Sequence, residues 1–438
     1  MKIKRDIKNI ALIVAPFSQT RRNNNDNDKK IPPMGILHLA NYLREKSYTV
    51  FVHDLISIQT TKDEFFKTIK EQKPDVVGFT TYPDNWKNTR YLINELKKIQ
   101  PEVITVAGGP LVTFSYNEFM EKVEQLDFAV LHEGEISFEH LLSTLSKNNC
   151  PELAKVDGIC YRDCKSKRII KNPARKPIEN LDDLPICDVD FIDIDNYTRP
   201  FSISTARGCP GKCVFCSANT MHPGYRCRSV ESVIKQIKYF IDRYDMKNFY
   251  IIDDTFTAVR NRVFSFCREL NKLDRKLGWM CETRADPIDP EIAEAMAGAG
   301  CCRVQIGLES SDNEILKKIR KNVTIEQVEY AIKCFYQADI RTYISFIFGH
   351  AWDTIETMRT LIDYVEQLKK KYNVAPFFAI NTPYPGTYQY EHSLEIGLNI
   401  HSHQWEDLNL TEPVISTKNF TAEQLRSIYF EAVERLQS

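Results

Sequence analysis

Short apolar runs alternate with amphipathic segments from residue 9 to about residue 145. The runs have the length of buried β-strands, and the segments between them carry apolar residues at helical spacing. Five strands are predicted in this part of the chain: NIALIVAP, TVFVHDL, VVGFTT, VITVAGGP and FAVLHEG. Strands that alternate with helices through short connections indicate an α/β fold with a doubly wound parallel sheet. Such a sheet binds ligands beyond the carboxyl ends of its strands.

The alternation stops between residues 149 and 200. The segment VDGICYRDCKSKRIIKNP has the pattern of a β-hairpin, and the stretch after it is rich in proline and aspartate, as connecting segments are. Upstream, the polar tract RRNNNDNDKK (residues 21–30) interrupts the first strand–helix connection and predicts a solvated loop.

A second series of strands and helices begins at residue 201. Its six strands are FSISTAR, NFYIIDD, GWMCETRAD, CRVQIGLES, RTYISFIFG and PFFAINTP. Six repeats are too few for the common eight-fold barrel, so they predict a partial (β/α)6 barrel that is open on one side. A helical C-terminal region follows the barrel. We therefore expect four parts, which are residues 1–148, 149–200, 201–390 and 391–438.

Composition and charge exclude several classes of protein. The chain has 438 residues, of which 43% are hydrophobic and 27% charged, and its formal net charge is −1. A charge near zero implies no general attraction to nucleic acid or anionic lipid, so no nucleic-acid partner is expected. No apolar run approaches the roughly 20 residues that span a bilayer. The opening apolar stretch fits a strand better than a secretory signal, so we expect a cytoplasmic protein whose 13 cysteines stay reduced.

Three cysteines stand close together in the segment STARGCPGKCVFCSA, directly after the first strand of the second series. Cys209, Cys213 and Cys216 have the spacing C-x3-C-x2-C on a loop that contains glycine. Thiolates bind iron–sulfur clusters, and a cubane with only three protein ligands retains one open iron. The alternatives are buried thiols or a zinc site, which would need a second Cys or His pair that is not found nearby. The other cysteines expected in the core are Cys267, Cys281, Cys301, Cys302 and Cys334.

With Phe215 as the aromatic residue before the last cysteine, this loop resembles that of the radical S-adenosylmethionine superfamily. The resemblance implies that Cys209, Cys213 and Cys216 hold a [4Fe–4S] cluster whose open iron binds S-adenosylmethionine. It also implies reductive cleavage to a 5′-deoxyadenosyl radical, with an electron donor such as flavodoxin or ferredoxin. In such chemistry the protein orients the reactants and excludes water.

Polar residues and glycines at successive strand ends agree with the superfamily pattern. The resemblance implies that Glu309 and Ser310 contact the ribose or methionyl end of S-adenosylmethionine. It also implies that Arg284 pairs with the carboxylate, for which a planar guanidinium is well suited. Each residue alone has the alternative role of a satisfied polar group at a strand end. The complete set expected to bind S-adenosylmethionine is Phe215, Asp253, Arg284, Gly307, Glu309, Ser310, Ile347 and Gly349.

The first domain resembles the cobalamin-binding domain of the cobalamin-dependent radical S-adenosylmethionine family. Glycines at its strand ends allow a large planar ligand to approach the backbone. By this resemblance, the corrin and its nucleotide tail are lined by Pro33, Met34, Gly35, Thr80, Thr81, Tyr82, Gly108, Gly109, Pro110, Gly134 and Glu135. The chain lacks the Asp-x-His-x-x-Gly loop of many cobalamin proteins, because His53 and Asp54 are followed by LISIQ. Neither His38 nor His132 is expected to bind cobalt.

Together the two resemblances imply a cobalamin-dependent radical methyltransferase that methylates an unactivated carbon of a biosynthetic substrate. The methyl group would come from methylcobalamin, and two S-adenosylmethionine molecules would be consumed per methylation. One alternative is a ring rearrangement, cyclisation or dehydration, with or without cobalamin. Others are a cofactor-free first domain, as in tRNA methylthiotransferases, and a non-catalytic cobalamin- or metal-binding protein. The substrate is expected to be a small molecule or a peptide.

Overall fold

The apolar runs of the sequence form strands in a computed structural model, which describes residues 6–17, 31–57, 60–147, 152–163 and 166–437. The loop predicted at 21–30 lies outside these residues. The chain divides into two compact units, Met1–Pro200 and Phe201–Ser438. None of the helices in the described ranges has the length and apolar character needed to cross a membrane.

The first unit is built on a seven-stranded sheet. Its strands are β1 (Asn9–Val14), β2 (Thr49–Asp54), β3 (Val76–Thr80), β4 (Ile104–Gly108), β5 (Phe128–Val130), β6 (Ile159–Arg162) and β7 (Ile169–Lys171). Their order across the sheet is β2-β1-β3-β4-β5-β6-β7. The first five are parallel, and β6 and β7 extend the sheet as an antiparallel hairpin. The predicted parallel sheet and hairpin are confirmed, and the strand order reverses between β1 and β3, where such sheets bind ligands.

Helices of the first unit pack their apolar stripes against this sheet. They are α1 (Met34–Glu45), α2 (Lys62–Gln72), α3 (Trp86–Ile99), α4 (Pro110–Lys122) and α5 (Gly134–Lys147). Ile36, Ala40 and Leu43 recur at helical spacing along α1, so they share one face, and that face lies in a core with Leu12 of β1 and Phe138 of α5. The core therefore lies between the sheet and the helices that the periodicity predicts.

The segment that follows the hairpin packs on the first unit. The Tyr197 hydroxyl donates to Asp54 Oδ2 at 2.7 Å, at the carboxyl end of β2. From α1, Arg44 pairs with Asp190 at 2.8 Å, and the Asn41 side chain donates to the Asp188 carbonyl at 2.9 Å. These contacts attach the connecting segment to β2 and α1.

The second unit contains six parallel strands in the order β15-β14-β13-β12-β11-β8. Its strands are β8 (Ser202–Ile203), β9 (Ala206–Arg207), β10 (Arg226–Cys227), β11 (Asn248–Ile251), β12 (Gly278–Thr283), β13 (Cys301–Glu309), β14 (Arg341–Phe348), β15 (Ala375–Ile380), β16 (Asn399–Ile400) and β17 (Ile415–Ser416). The order is linear, so β8 and β15 are the two edges of a partial barrel. The predicted six-stranded partial barrel is confirmed.

Helices follow the barrel strands, and a helical region ends the chain. They are α6 (Ala218–Met221), α7 (Val230–Tyr244), α8 (Arg260–Leu270), α9 (Pro290–Gly298), α10 (Asn313–Lys318), α11 (Ile325–Gln337), α12 (Ile355–Tyr372), α13 (Tyr388–Glu391) and α14 (Ala422–Gln437). The last helix packs on α12, where Arg435 pairs with Asp363 at 2.6 Å and Glu366 at 3.0 Å. The region after the barrel is expected to be helical, but α13 ends at Glu391 and residues 392–397 form turns.

Two local expectations need correction. FSISTAR is not one strand, because the N–H groups of Thr205 and Ala206 donate to the Asp253 side chain and are lost to the strand ladder. The sequence therefore forms two short strands, β8 and β9, and β9 pairs with β10 instead. Cys302 is exposed rather than in the core, because side chains alternate along β13 and Cys301 is the buried one.

Replacing Tyr197 with Phe removes the hydroxyl that serves Asp54, and Asp54 is buried. Leaving a buried acceptor without its donor costs about 1–3 kcal/mol, so we expect the free energy of unfolding to fall by that amount. Tyr336, which is 53% exposed, offers the matched control, and Tyr336→Phe should leave stability unchanged. Urea denaturation of both variants checks this, and equal stabilities would contradict it.

Candidate functional site

The three cysteines lie on the loop between β9 and α6. Cys209 Sγ accepts a hydrogen bond from the Gly211 N–H at 3.4 Å and lies 3.3 Å from Thr255 Oγ1. Cys216 Sγ accepts from the Ala218 N–H at 3.4 Å. Backbone donors that point at sulfur stabilise a thiolate, as they do around iron–sulfur clusters. The donor set therefore fits a cluster.

The middle of this loop is held by two other elements. The Val214 N–H donates to the Ile319 carbonyl at 3.0 Å, and the Val214 carbonyl accepts from the Gln389 N–H at 2.9 Å. The Val214 side chain is buried against Ile315 and Leu316 of α10. The loop is thus fixed at its centre by backbone hydrogen bonds and by apolar packing.

The start of the loop requires glycine at position 208. Gly208 has a φ of +79°, and a Cβ there would lie 2.7 Å from the His222 carbonyl oxygen and close to the Gly224 backbone. Any larger residue would have to displace that backbone, and a positive φ adds strain for residues that carry a Cβ. Gly208 therefore sets the path of the chain into Cys209.

Within the described part of the chain, no group of three His, Cys, Asp or Glu side chains converges as it would on a single metal ion. In a cubane, each thiolate binds a different iron, so ligands of a cluster do not need to converge on one point. The absence of a convergent group among the described residues therefore argues against a single-ion site at this loop but not against a cluster.

Asp253 lies at the joint between β8 and β9. Its carboxylate accepts from the Thr205 N–H at 2.6 Å, from the Ala206 N–H at 2.9 Å and from the Thr205 hydroxyl. Burial raises the pKa of Asp253 to about 6, although these hydrogen bonds oppose the shift. The structure thus uses this residue, which the sequence predicts as an S-adenosylmethionine contact, to hold the strand that leads into the cysteine loop.

A bulge lies at the end of β13, next to Glu309. The register between β13 and β14 shifts between Gly307 and Glu309, and Glu309 has a φ of +64°. Bulges commonly re-aim a side chain next to a functional site, and a positive φ at a non-glycine residue stores strain. Glu309 is buried and forms an ion pair of 2.9 Å with Lys321, which is also buried.

Gly307 leaves space for that ion pair as it stands. A Cβ at this position would overlap both Glu309 Oε1 and Lys321 Nζ. The glycine of the GLES segment therefore leaves room for two charged side chains. Ser310 follows them, is buried, and accepts a hydrogen bond from the Asp312 N–H at 3.2 Å.

Arg284 connects the cysteine loop with Lys321. Its Nη2 donates to the Lys321 carbonyl at 2.7 Å, and its Nε pairs with Asp286 at 2.8 Å. Its Nη1 points at the loop, lying 3.0 Å from where a Cβ on Gly211 would be. A buried guanidinium that faces the loop fits the predicted role of binding a carboxylate.

His350 lies at the end of β14 and faces the loop through Phe215. The two rings are 5.5 Å apart, and His350 is 1% exposed. Neither ring nitrogen of His350 has a hydrogen-bond partner of ideal geometry in the described residues, although the Glu309 backbone is close enough to raise the pKa of the imidazole. Buried polar groups normally have good partners, so a weakly bonded imidazole beside Phe215 fits a site that receives a polar ligand. Ile347 and Gly349, two of the residues expected to bind S-adenosylmethionine, precede it on the same strand end and turn.

In the first unit, the predicted cobalamin residues gather at the carboxyl ends of β3 and β4 and at the start of α1, α4 and α5. A Cβ on Gly35 would meet no atom within 4 Å, and one on Gly134 would meet only Val130 Cγ1 at 3.8 Å. Open backbone of this kind fits the approach of a large flat ligand.

Several of the predicted cobalamin residues have tasks within the fold. Thr81 is buried, and its hydroxyl donates to the Gly108 carbonyl at 2.7 Å, so it joins β3 to β4. Met34 and Glu135 are also buried, whereas Gly35 and Tyr82 are exposed. His53 does not belong to an Asp-x-His-x-x-Gly loop, and its ring forms a hydrogen bond of 2.8 Å with the Gln72 side chain.

Sequence reasoning missed Lys321 and Thr255 and gave His350 no role. Lys321 stands in a lysine- and arginine-rich stretch, KKIRKN, in which the lysines at 317 and 318 are exposed. Its burial follows from the hydrogen bond between its N–H and the Leu316 carbonyl, which folds the chain back after α10. No periodicity in the sequence distinguishes it from its neighbours.

Two family models match the chain. Residues 27–142 match the B12 binding domain, and residues 203–365 match the radical SAM superfamily. The two matches fall in the first and second units, respectively.

Known proteins resemble the chain over most of its length. An uncharacterized methyltransferase of Pyrococcus horikoshii is 31% identical over 92% of this chain and 86% of its own. The anaerobic magnesium-protoporphyrin IX monomethyl ester cyclase of Rubrivivax gelatinosus is 28% identical over 88% of this chain and 70% of its own. Among solved structures, the cobalamin-dependent S-adenosylmethionine radical enzyme OxsB superposes with a TM-score of 0.78 at 19% identity, over 97% of this chain and 66% of OxsB.

The buried imidazole of His350 makes stability depend on pH. Burial lowers its pKa to about 4, so the unfolded chain takes up the proton first as pH falls. The stability that this group contributes is complete above pH 6.5 and is lost as pH falls towards 4, by up to about 3 kcal/mol.

We expect His350→Phe to flatten the dependence of the unfolding free energy on pH between 6.5 and 4. His401→Phe, at an exposed histidine, should keep the wild-type slope. Denaturant titrations at several pH values measure both slopes. A wild-type slope in His350→Phe would contradict this, because it would show that the folded protein and the unfolded chain protonate this imidazole at the same pH.

Proposed function

The chain belongs to the cobalamin-dependent radical S-adenosylmethionine family, and from that premise we propose that it methylates an unactivated carbon of a small-molecule or peptide substrate. It is a radical S-adenosylmethionine enzyme, and its cofactors are a [4Fe–4S] cluster, S-adenosylmethionine and cobalamin. When bound, the cluster and S-adenosylmethionine supply a 5′-deoxyadenosyl radical, and cobalamin supplies a methyl group.

One observation carries the proposal: an anchored loop of three cysteines occurs in the same chain as a B12-type sheet. The methyltransferase name of the relative from Pyrococcus horikoshii supports methylation as the outcome. An electron donor such as flavodoxin or ferredoxin would serve the cluster, which would need a reducing compartment such as the cytoplasm.

The chain's own residues have the tasks of binding and shielding. In this proposal, Cys209, Cys213 and Cys216 ligate the cluster, and Arg284 and Glu309 bind the charged groups of the methionyl end. Phe215, Ile347 and Gly349 enclose the adenine, and Ser310 and Gly307 shape the space around it. Burial of Arg284 and Glu309 excludes water, which strengthens their electrostatic contacts.

A second candidate is cyclisation, which the relative from Rubrivivax gelatinosus supports by its name. The two outcomes differ in a countable product. Methylation releases S-adenosylhomocysteine from one S-adenosylmethionine for each 5′-deoxyadenosine from another, whereas cyclisation releases no S-adenosylhomocysteine. Supplying the reconstituted protein with S-adenosylmethionine, hydroxocobalamin, a candidate substrate and a strong reductant, and then measuring S-adenosylhomocysteine, separates the candidates.

The cluster assignment predicts a difference between two exposed cysteines. After anaerobic reconstitution and reduction, the wild type should release 5′-deoxyadenosine from S-adenosylmethionine, and Cys216→Ala should fall to the level of a protein-free control. Cys302→Ala, which removes the exposed thiol at the start of β13, should keep the wild-type rate. Chromatographic quantification of 5′-deoxyadenosine checks this, and an undiminished rate in Cys216→Ala would refute the assignment.

The cobalamin assignment predicts a loss of binding without a loss of stability. Gly35 is exposed on α1 and has open space around it, so Gly35→Leu should fold normally. Its side chain would occupy the proposed ligand space and lower the affinity for hydroxocobalamin on the order of tenfold, equal to about 1.4 kcal/mol. Gly298→Leu, at the exposed end of α9, is the matched control. Equal affinities in equilibrium dialysis would place the corrin elsewhere.

A further inference from the structure

Lys321 is a buried ammonium group to which the cofactor assignments give no task. It is 6% exposed, and its Nζ binds Glu309 Oε1 at 2.9 Å. Burial lowers its pKa, but the charges of Glu309 and Cys213 raise it more, so the pKa lies above its ordinary value and the group stays charged. A buried charge carries a large desolvation cost, so its retention calls for an explanation beyond stability.

The backbone around Lys321 is tied to the cysteine loop on both sides of Cys213. On one side, the Ile319 carbonyl accepts from the Val214 N–H at 3.0 Å. On the other, Arg284 donates to the Lys321 carbonyl at 2.7 Å and places its Nη1 against Gly211. Residues 211 and 214 flank Cys213, so these contacts attach the backbone around Lys321 to the segment that carries that cysteine.

The charges around Cys213 differ in how far water can screen them. Lys321 and Arg284 are two buried cations held against the segment that carries Cys213. Arg284 shares its charge with Asp286, whose side chain is 43% exposed. Lys321 and Glu309 are each only 8% exposed at their side chains, so their fields act at low effective dielectric.

We propose that Lys321 raises the reduction potential of the cluster by stabilising its reduced form through Cys213. The inference rests on the proposed function, in which Cys213 is a cluster ligand. One-electron reduction adds one negative charge to the cluster, and the donor, a flavodoxin or ferredoxin, is oxidised by one electron. No proton moves in this step. Cluster potentials depend on net charge and on groups around the sulfurs, and a fixed cation beside a ligand favours the more negative form.

Glu309 has the opposite effect on the same site. It positions the ammonium group at 2.9 Å, but its own negative charge disfavours a further negative charge on a cluster bound at this loop. Removing either partner breaks the same ion pair. If the ion pair had only a structural role, removing the Lys321 charge and removing the Glu309 charge would shift the reduction potential in the same direction. The electrostatic role requires the two changes to shift it in opposite directions.

The test is a potentiometric titration of the reconstituted cluster, followed by electron paramagnetic resonance in the absence of S-adenosylmethionine. For Lys321→Met, we expect about a tenfold lower ratio of reduced to oxidised cluster at a fixed potential, which is a midpoint about 59 mV more negative for a one-electron couple. Glu309→Gln should move the midpoint to more positive values. Lys321→Arg keeps the charge and should stay near the wild type.

Two further variants complete the comparison. Lys318→Met removes the same charge from an exposed position on α10 and should leave the potential unchanged. The double variant Lys321→Met with Glu309→Gln leaves no unpaired buried charge. It should shift the midpoint in the negative direction by less than Lys321→Met, and it provides the measurement if the single variant does not hold a cluster.

Iron and sulfide analysis separates the two levels of the proposal. A wild type that assembles no [4Fe–4S] cluster overturns the proposed function and this inference with it. A wild type with a full cluster, together with an unchanged midpoint in Lys321→Met and the double variant, overturns only the role of Lys321. Shifts of Lys321→Met and Glu309→Gln in the same direction also overturn it, because they indicate a structural effect.

Discussion

Val214 donates to Ile319 and accepts from Gln389, and these two hydrogen bonds fix the centre of the loop that carries Cys209, Cys213 and Cys216. The loop has no regular secondary structure, so its shape depends on what holds it from outside. Asp253 supports the strand that leads into it, and Gly208 sets the turn at its start. The path of the chain through the three cysteines follows from these anchors.

The second constraint is electrostatic. Glu309, Lys321 and Arg284 are buried close to the loop, and buried charges are costly unless they are paired and hydrogen-bonded. The pairing here depends on details of the backbone, because Glu309 lies at the β13 bulge and Gly307 leaves the space for both charges. An apolar pair of similar volume could fill this space at less cost. The charges are therefore better explained by the ligands of the site than by the stability of the barrel.

Much of this arrangement could be predicted from the sequence, because its strands are encoded by local apolar patterns. Carboxyl ends of parallel strands meet at one edge, so the positions of Arg284 and Glu309 at strand ends predict that both lie near the cysteine loop. The burial of Lys321 could not be predicted, because it depends on packing after α10 rather than on periodicity. The sequence predicts Asp253 at the correct strand end, but its carboxylate serves the backbone of Thr205, a contact between residues 48 positions apart. The exposure of Cys302 follows from strand alternation, which the sequence alone does not resolve for two adjacent cysteines.

The central claim is that the three cysteines hold a cluster with an open iron that binds S-adenosylmethionine. Electron paramagnetic resonance of the reduced, reconstituted protein tests this most directly, with spectra recorded before and after addition of S-adenosylmethionine. The account predicts that the g-values of the reduced cluster change on addition, because the ligand binds the open iron itself. Identical spectra at saturating S-adenosylmethionine, in a protein with full iron and sulfide content, would contradict it.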